Sequence, residues 1–201
     1  MKPLTVVGAM ALTVASCATS SSFELTVPPA THPKRFTAVE VAPITSDWVP
    51  DDGLCPAANS PDWDPTCSSE SVLVEIGSAI RRGIIDELTG SGDFALVVSE
   101  LDPAPGAVLI SCSIVEFDEG SRFTRWFVGL GAGKAQLKMA CGFTDLTDAQ
   151  PYAEGLFSGE LKGGFFGGEA DAGTMGREVG EAIRRFLRTG LADARCAKCG
   201  G

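Results

Sequence analysis

The sequence predicts an α+β fold: a two-layer sandwich whose mostly antiparallel sheet carries two helices on one face, in the order β-α-β-β-β-β-α. Three observations lead there. Residues 69–89 and 174–189 repeat apolar side chains every three to four positions, the period of a helix with one buried stripe. Between them, 107–117, 134–144 and 152–162 alternate apolar and polar residues, the period of a half-buried strand. These three strands follow one another in the chain and read as a meander.

The elements are taken in chain order. Residues 35–43, rich in Phe, Thr and Val, read as the first strand. A long loop, 44–68, follows with Trp48 and Trp63. Its Asp47, Asp51, Asp52, Asp62 and Asp64 lack the spacing of a calcium-binding EF-hand and read as a solvated loop. The helix over 69–89 lines up Leu73, Ile76, Ile80, Ile84 and Leu88. Ser68 or Ser69 caps it, Glu70 suits its first turn and Gly90 stops it. Residues 94–98 make a short buried strand, and the Pro and Gly of 102–106 a turn. Val108, Ile110, Cys112 and Ile114 share one face of the next strand, as do Leu137, Met139, Cys141 and Phe143 of its successor. The last helix turns Met175, Val179, Ile183, Phe186 and Leu187 inward and stops at Gly190. No internal repeat is present.

The N-terminus says where the protein resides. Lys2 precedes an apolar run, 4–14, too short to span a bilayer, and then comes Val14-Ala15-Ser16-Cys17. Small residues directly before a cysteine resemble the bacterial lipobox. That resemblance implies cleavage before Cys17, acylation of its sulfur and amine, and a permanent membrane anchor. Ala18, rather than Asp, then favours the outer membrane. The expected organisation is a lipoprotein signal peptide over 1–16, the lipidated cysteine and a flexible tether over 17–34, a single α+β domain over 35–191 and a tail over 192–201. The tether assignment rests on the Ser, Thr and Pro content of 18–33. The chain carries a formal net charge of −10. Such a surface repels nucleic acid, and no basic footprint for it is present.

Apart from Cys17, the cysteines are Cys55, Cys67, Cys112, Cys141, Cys196 and Cys199. An even number in an exported chain points to disulfides, although the sequence alone leaves the connectivity open. Cys55 and Cys67 bracket a polar loop and are placed to staple it. Cys112 and Cys141 fall on the apolar faces of adjacent strands, where they either bridge or remain two buried thiols. Cys196-x-x-Cys199 lies in a polar tail. The chain's single histidine, His32, falls in the tether, so zinc finds too few partners there, and a structural disulfide or tail thiols suit the pair better than redox chemistry.

The densest unusual segment runs through Gly120, Arg122, Arg125, Trp126, Phe127, Gly129, Gly131 and Gly133. Lys162-Gly163-Gly164-Phe165-Phe166-Gly167-Gly168 is a second, glycine-flanked apolar loop. In these two stretches the chain resembles the domain of unknown function 4410 family of Gram-negative lipoproteins, over roughly 35–191. The resemblance implies the same α+β fold and no established activity. The alternating glycines precede Lys134, but Ala135 and a strand follow, so the pattern of a phosphate loop fails. Arg122 and Arg125, with Trp126 and Phe127 as anchors, form a candidate protein-binding surface, or else the arginines pair with the domain's own carboxylates. Phe165 and Phe166 either cover the sheet or form a mobile latch.

No Ser-His-Asp or Cys-His arrangement can be assembled with His32 in the tether. Ser99 with Glu100, or Glu116 with Asp118 and Glu119, offer acid–base chemistry that nothing distinguishes from surface polarity. The sequence therefore points to a non-enzymatic, lipid-anchored envelope protein facing the periplasm, without cofactor or metal, that binds an envelope protein partner. The alternatives are a carrier or sensor of a small amphiphile, with Phe165 and Phe166 as its lid over the apolar sheet face, and an envelope hydrolase.

Overall fold

The computed structural model of the chain describes residues 19–29, 34–48, 68–100, 104–118, 135–161 and 171–189. The strands are β1 (Thr19–Val27), β2 (Ala38–Val41), β3 (Thr45–Ser46), β4 (Leu96–Val98), β5 (Ala107–Asp118), β6 (Ala135–Asp145) and β7 (Gln150–Leu161). The helices are α1 (Ser69–Gly90), between β3 and β4, and α2 (Ala172–Thr189), after β7. Both begin on side-chain caps. The Ser71 N–H donates to Ser68 Oγ at 3.1 Å and the Ser68 N–H donates back to Ser71 Oγ at 3.3 Å. At α2 the Thr174 N–H donates to Asp171 Oδ1 at 2.5 Å. Gly90 is the last residue of α1 rather than its stop: the Ser91 N–H donates to the Glu87 carbonyl, and Gly92 takes the positive φ of 68°.

The sheet runs β1-β7-β6-β5-β2-β4, with β3 also beside β5. The meander β5-β6-β7 is as expected, and β1 extends it antiparallel to β7. However, β2 lies parallel to both β4 and β5, and β3 parallel to β5, so the sheet is mixed rather than mostly antiparallel. The element order is accordingly β-β-β-α-β-β-β-β-α. The physical reason is the long connection through α1, which carries the chain back so that β4 runs in the direction of β2. A second correction concerns 17–34. Thr19–Val27, expected to be tether, is a sheet strand.

β1 is tied in on the face it turns to α2. Phe23 stacks on Phe157 at 5.5 Å and meets the edge of Phe186 at 5.7 Å. Arg185 Nη2 donates to the carbonyl and hydroxyl of Ser21. Phe143 completes this ring cluster, 4.7 Å from Phe186. The core lies between the helices and one face of the sheet, where Ile110, Ile114, Leu137, Met139 and Phe143 are buried. All five residues expected to turn inward from α2 are buried, as are Ile80, Ile84 and Leu88 of α1, whereas Leu73 and Ile76 are half-buried at its rim. Bulges at Val115 and Tyr152 shift the alternation of β5 and β7, which is why Phe117 rather than Glu116 points inward.

The helices cross on glycines. A Cβ on Gly83 would collide with the Gly173 carbonyl oxygen, and one on Gly176 with the Ile80 carbonyl oxygen. A Cβ on Gly180 would lie 3.0 Å from Glu87 Cβ, and one on Gly159 of β7 2.7 Å from Glu178 Cβ. Thus α2 is pressed between α1 and β7 with hydrogen atoms where side chains would stand. Interior glycine costs a helix about 1 kcal/mol relative to alanine, so close packing is what retains it here.

Cys112 and Cys141 face each other across β5 and β6 and are joined by a disulfide, both residues being buried. Of the two sequence alternatives, the bridge is the one found. Cys17, Cys55, Cys67, Cys196 and Cys199 lie outside the described residues.

Two stability predictions follow from this packing. Gly176→Ala lowers stability by about 1–3 kcal/mol or more through overpacking. Gly90→Ala, with nothing within 4 Å of the added carbon, raises it by about 0.5–1 kcal/mol. Thermal unfolding of the two variants separates these outcomes. Cys112→Ala/Cys141→Ala frees a cross-link spanning 29 residues and lowers the unfolding free energy in urea by about 3–4 kcal/mol.

Candidate functional site: the two ends and the open face of the sheet

Strand register fixes which chain segments meet. Thr19 pairs with Leu161, Leu161 with Ala135, and Gln136 with Asp118. The start of β1, the end of β5, the start of β6 and the end of β7 therefore gather at one end of the sheet. Segment 119–134 joins β5 to β6 there, and 162–170 leaves β7 there. Arg122, Arg125, Trp126, Phe127, Gly129, Gly131 and Gly133 belong to the first segment and Phe165 and Phe166 to the second. All lie outside the described residues, as does Cys17, two residues before Thr19. What register shows is that both connections spring from the end at which β1 begins. The expected meander alone places both connections at one end; that β1 begins there too could not be read from a sequence that left β1 as tether.

The face of the sheet turned away from the helices is short-chained and acidic. Ser22 and Glu24 of β1, Glu154 and Ser158 of β7, Ala140 and Gly142 of β6, and Ser111 of β5 alternate with the core positions. Thr26, Ala140, Gly142, Glu154, Gly155 and Leu156 border a shallow open hollow there. Among the described strands Lys138 is the one basic residue, and it pairs with Glu116 at 2.8 Å. Glu116 is thus held in an ion pair. Ser113 Oγ donates to Asp47 Oδ2 at 2.7 Å, tying β3's downstream residue to β5.

The opposite end holds a polar cluster that sequence reading missed. Lys34 Nζ lies 2.6 Å from Asp145 Oδ2 and 3.9 Å from Asp148 Oδ2. The Lys34 N–H donates to the Tyr152 hydroxyl at 3.3 Å, and the Thr147 N–H to Asp145 Oδ1 at 2.8 Å. Asp145 is only 3% exposed. Its burial pushes the carboxyl up, but hydrogen bonds from Lys34 and Thr147 outweigh this and leave it below its ordinary value. The hydrogen bond to Asp145 likewise raises the Lys34 ammonium above its ordinary value. The available signal was an aspartate closing a strand of alternating residues, at a position the core face would claim.

On the helical side an open cleft of about 520 Å³ lies between α1 and the start of α2, lined by Ile76, Ala79, Arg82, Asp86 and Arg177 among others. It is walled by Arg177 and Asp86, 3.5 Å apart. The helices themselves cover the apolar sheet face on which the amphiphile-carrier alternative places its ligand. Among the described residues no group of three or more His, Cys, Asp or Glu side chains gathers, and no helix is long and apolar enough to cross a membrane.

Residues 36–185 match the model of the family described as domain of unknown function DUF4410. The chain belongs to that family. No protein of curated function matches it. Among solved structures, this DUF4410 chain is similar to the PelC dodecamer from Paraburkholderia phytofirmans, at 13% identity and a TM-score of 0.43, over 86% of this chain and 99% of that one. It is also similar to a DUF330 family protein from Xanthomonas campestris, at 12% identity and a TM-score of 0.45, over 84% and 95% of the two chains. A hypothetical protein from Chlamydia trachomatis matches at 12% identity and a TM-score of 0.41, over 79% and 99%.

The Lys34–Asp145 pair carries a pH prediction. A carboxylate with a depressed folded pKa contributes stability that is present above its unfolded value, about 3.9, and is lost as the pH falls through the folded value. The raised ammonium contributes stability below its unfolded value, about 10.4, and loses it as the pH rises through the folded one. Between those limits the contribution is flat. Asp145→Asn is expected to lower the Tm at pH 7 and to flatten its decline in acid, as thermal scans from pH 2.5 to 7 would show.

Proposed function

We propose that this DUF4410 protein is a non-enzymatic lipoprotein of the cell envelope, acylated at Cys17 in the outer membrane and facing the periplasm. Its domain serves as a binding or assembly accessory for an envelope protein. The observation that carries the reading is the sequence Val14-Ala15-Ser16-Cys17 after a short apolar run. The buried Cys112–Cys141 disulfide supports it, because such bonds persist where the surroundings are oxidising, as in the periplasm. Arg122 and Arg125, with Trp126 and Phe127, supply the contact: guanidinium groups grip carboxylates in bidentate fashion and aromatic side chains anchor interfaces. Phe165 and Phe166 belong by sequence to the connection that follows Leu161 of β7 and are offered as further contacts.

The test is crosslinking in cells followed by mass spectrometry, with the native chain compared to Arg122→Ala/Arg125→Ala and Cys17→Ala. The expected result is one specific envelope protein captured by the native chain and lost in the double variant. Radiolabelled fatty acid should enter the native chain and not Cys17→Ala. Capture indifferent to the arginines would remove that loop as the contact.

A further inference from the structure

We propose that β1 is a docking strand for a second copy of this chain, the two β1 edges pairing antiparallel about a twofold axis at Ser22. The proposal stands apart from acylation at Cys17. The sheet path has two edges, β4 and β1. β4 offers three residues, enough for few hydrogen bonds. β1 pairs with β7 from Thr19 to Leu25 without a break. Features that protect a strand edge lie beyond that stretch: the bulge follows Leu25, and Pro28 and Pro29 come next. Within the stretch the one charged side chain is Glu24.

Register determines which main-chain groups of β1 face outward. Cys112 and Cys141 lie 4.1 Å apart at Cα, close to the spacing of an antiparallel pair that exchanges no hydrogen bonds. The carbonyls of Ile110 and Ile114 accordingly accept from Ala42 and Asp47 on the other side of β5. Carried across the sheet, this alternation has Cys141 exchange hydrogen bonds with Gly155, and Leu156, Ser158 and Glu160 with Glu24, Ser22 and Ser20. The N–H and C=O groups of Thr19, Ser21, Phe23 and Leu25 therefore point away from the sheet. Among the described residues Arg185 alone meets them, at the Ser21 carbonyl. It comes from the helix side, where it also donates to Ser21 Oγ at 2.8 Å, and the carbonyl keeps a second lone pair. Ser21 and Phe23 turn their side chains into the core, so what this edge offers is backbone.

A second β1 satisfies that backbone. With the axis at Ser22, Thr19 lies opposite Leu25 of the other copy and Ser21 opposite Phe23, so outward groups meet outward groups in every pair. This register uses the whole unbroken stretch. On the open face Ser22 lies opposite its own copy and Glu24 opposite Ser20, a hydroxyl that already donates to Glu160 at 3.3 Å. An axis at Glu24 would set two carboxylates directly opposite, which is unfavourable, and an axis at Phe23 would draw the bulge into the ladder. The contact is self-complementary and closes as a dimer.

The experiment is sedimentation of the full chain in detergent, with variants at the exposed Ser22. The native chain is expected to dimerise with rising concentration. Ser22→Lys and Ser22→Glu each set like charges opposite one another at the axis, so each should raise the dissociation constant several-fold while circular dichroism stays unchanged. Mixed, the two variants should associate at least as tightly as the native chain. Ser22→Cys is expected to link two copies under oxidation, as the same kind of strand pair does at Cys112 and Cys141, and Glu24→Cys is not. A native chain that remains single, an assembly of any size that neither charge variant weakens, or a mixture no tighter than the variants alone overturns the pairing. Cross-linking of Ser22→Cys to a protein of another sequence, with no link between copies, overturns the second copy as occupant.

Discussion

At the crossing of α1 and α2, backbone meets backbone. Gly83 and Gly176 each face a carbonyl of the other helix, and Gly180 faces the Ile84–Glu87 turn. Gly159 makes the same allowance on the sheet side, beneath Met175 and Val179. Because α2 lies this low, Phe186 reaches Phe23, Phe143 and Phe157 at once. The ring cluster in turn holds β1 to the sheet, so this N-terminal strand depends on glycines in two helices and one strand far away in sequence. Arg184 and Arg188 both pair with the mostly buried Asp93, which ties α2 to the segment after α1.

How much of this was legible depended on whether a residue's role left a periodic trace. The meander and both helices were readable because each buries a row of side chains at a fixed spacing. β5 and β6 even placed Cys112 and Cys141 on the correct face. β1 was not readable. Its Ser20-Ser21-Ser22 run carries no apolar period, and an edge strand can be held by one phenylalanine and an arginine from another element. Parallel pairing was also hidden, since β2 and β4 have four and three residues, too few for a pattern to show direction. The glycine crossing had a signal that was passed over: Gly176 and Gly180, one helical turn apart inside a helix, where glycine is unfavourable without a packing reason. Of the candidate site, the residue types came from sequence and their common location from register. Neither alone would have brought the start of β1 to the end of the sheet where β5 stops.

The polar features of the domain divide by position. The turn at the far end closes over a buried carboxylate with a lysine, a tyrosine and backbone amides, which makes it a structural lock. The open face collects acids with short neighbours and little to grip a ligand. The end opposite that turn is where β1 begins and where the connections after β5 and β7 leave the sheet.

The pairing of β1 with β7 has a consequence for how the molecule comes into being. Thr19 and Leu161 are neighbours in space but lie at opposite ends of the domain's sequence. A chain made from its N-terminus delivers β1 first and β7 among the last, so β1 waits, unpaired, for nearly the whole domain to follow. The Cys112–Cys141 hairpin is local and can close earlier, because short loops close at lower entropic cost. Completion of the sheet is thus a late event, and until then a bare strand edge is open to neighbouring chains or chaperones.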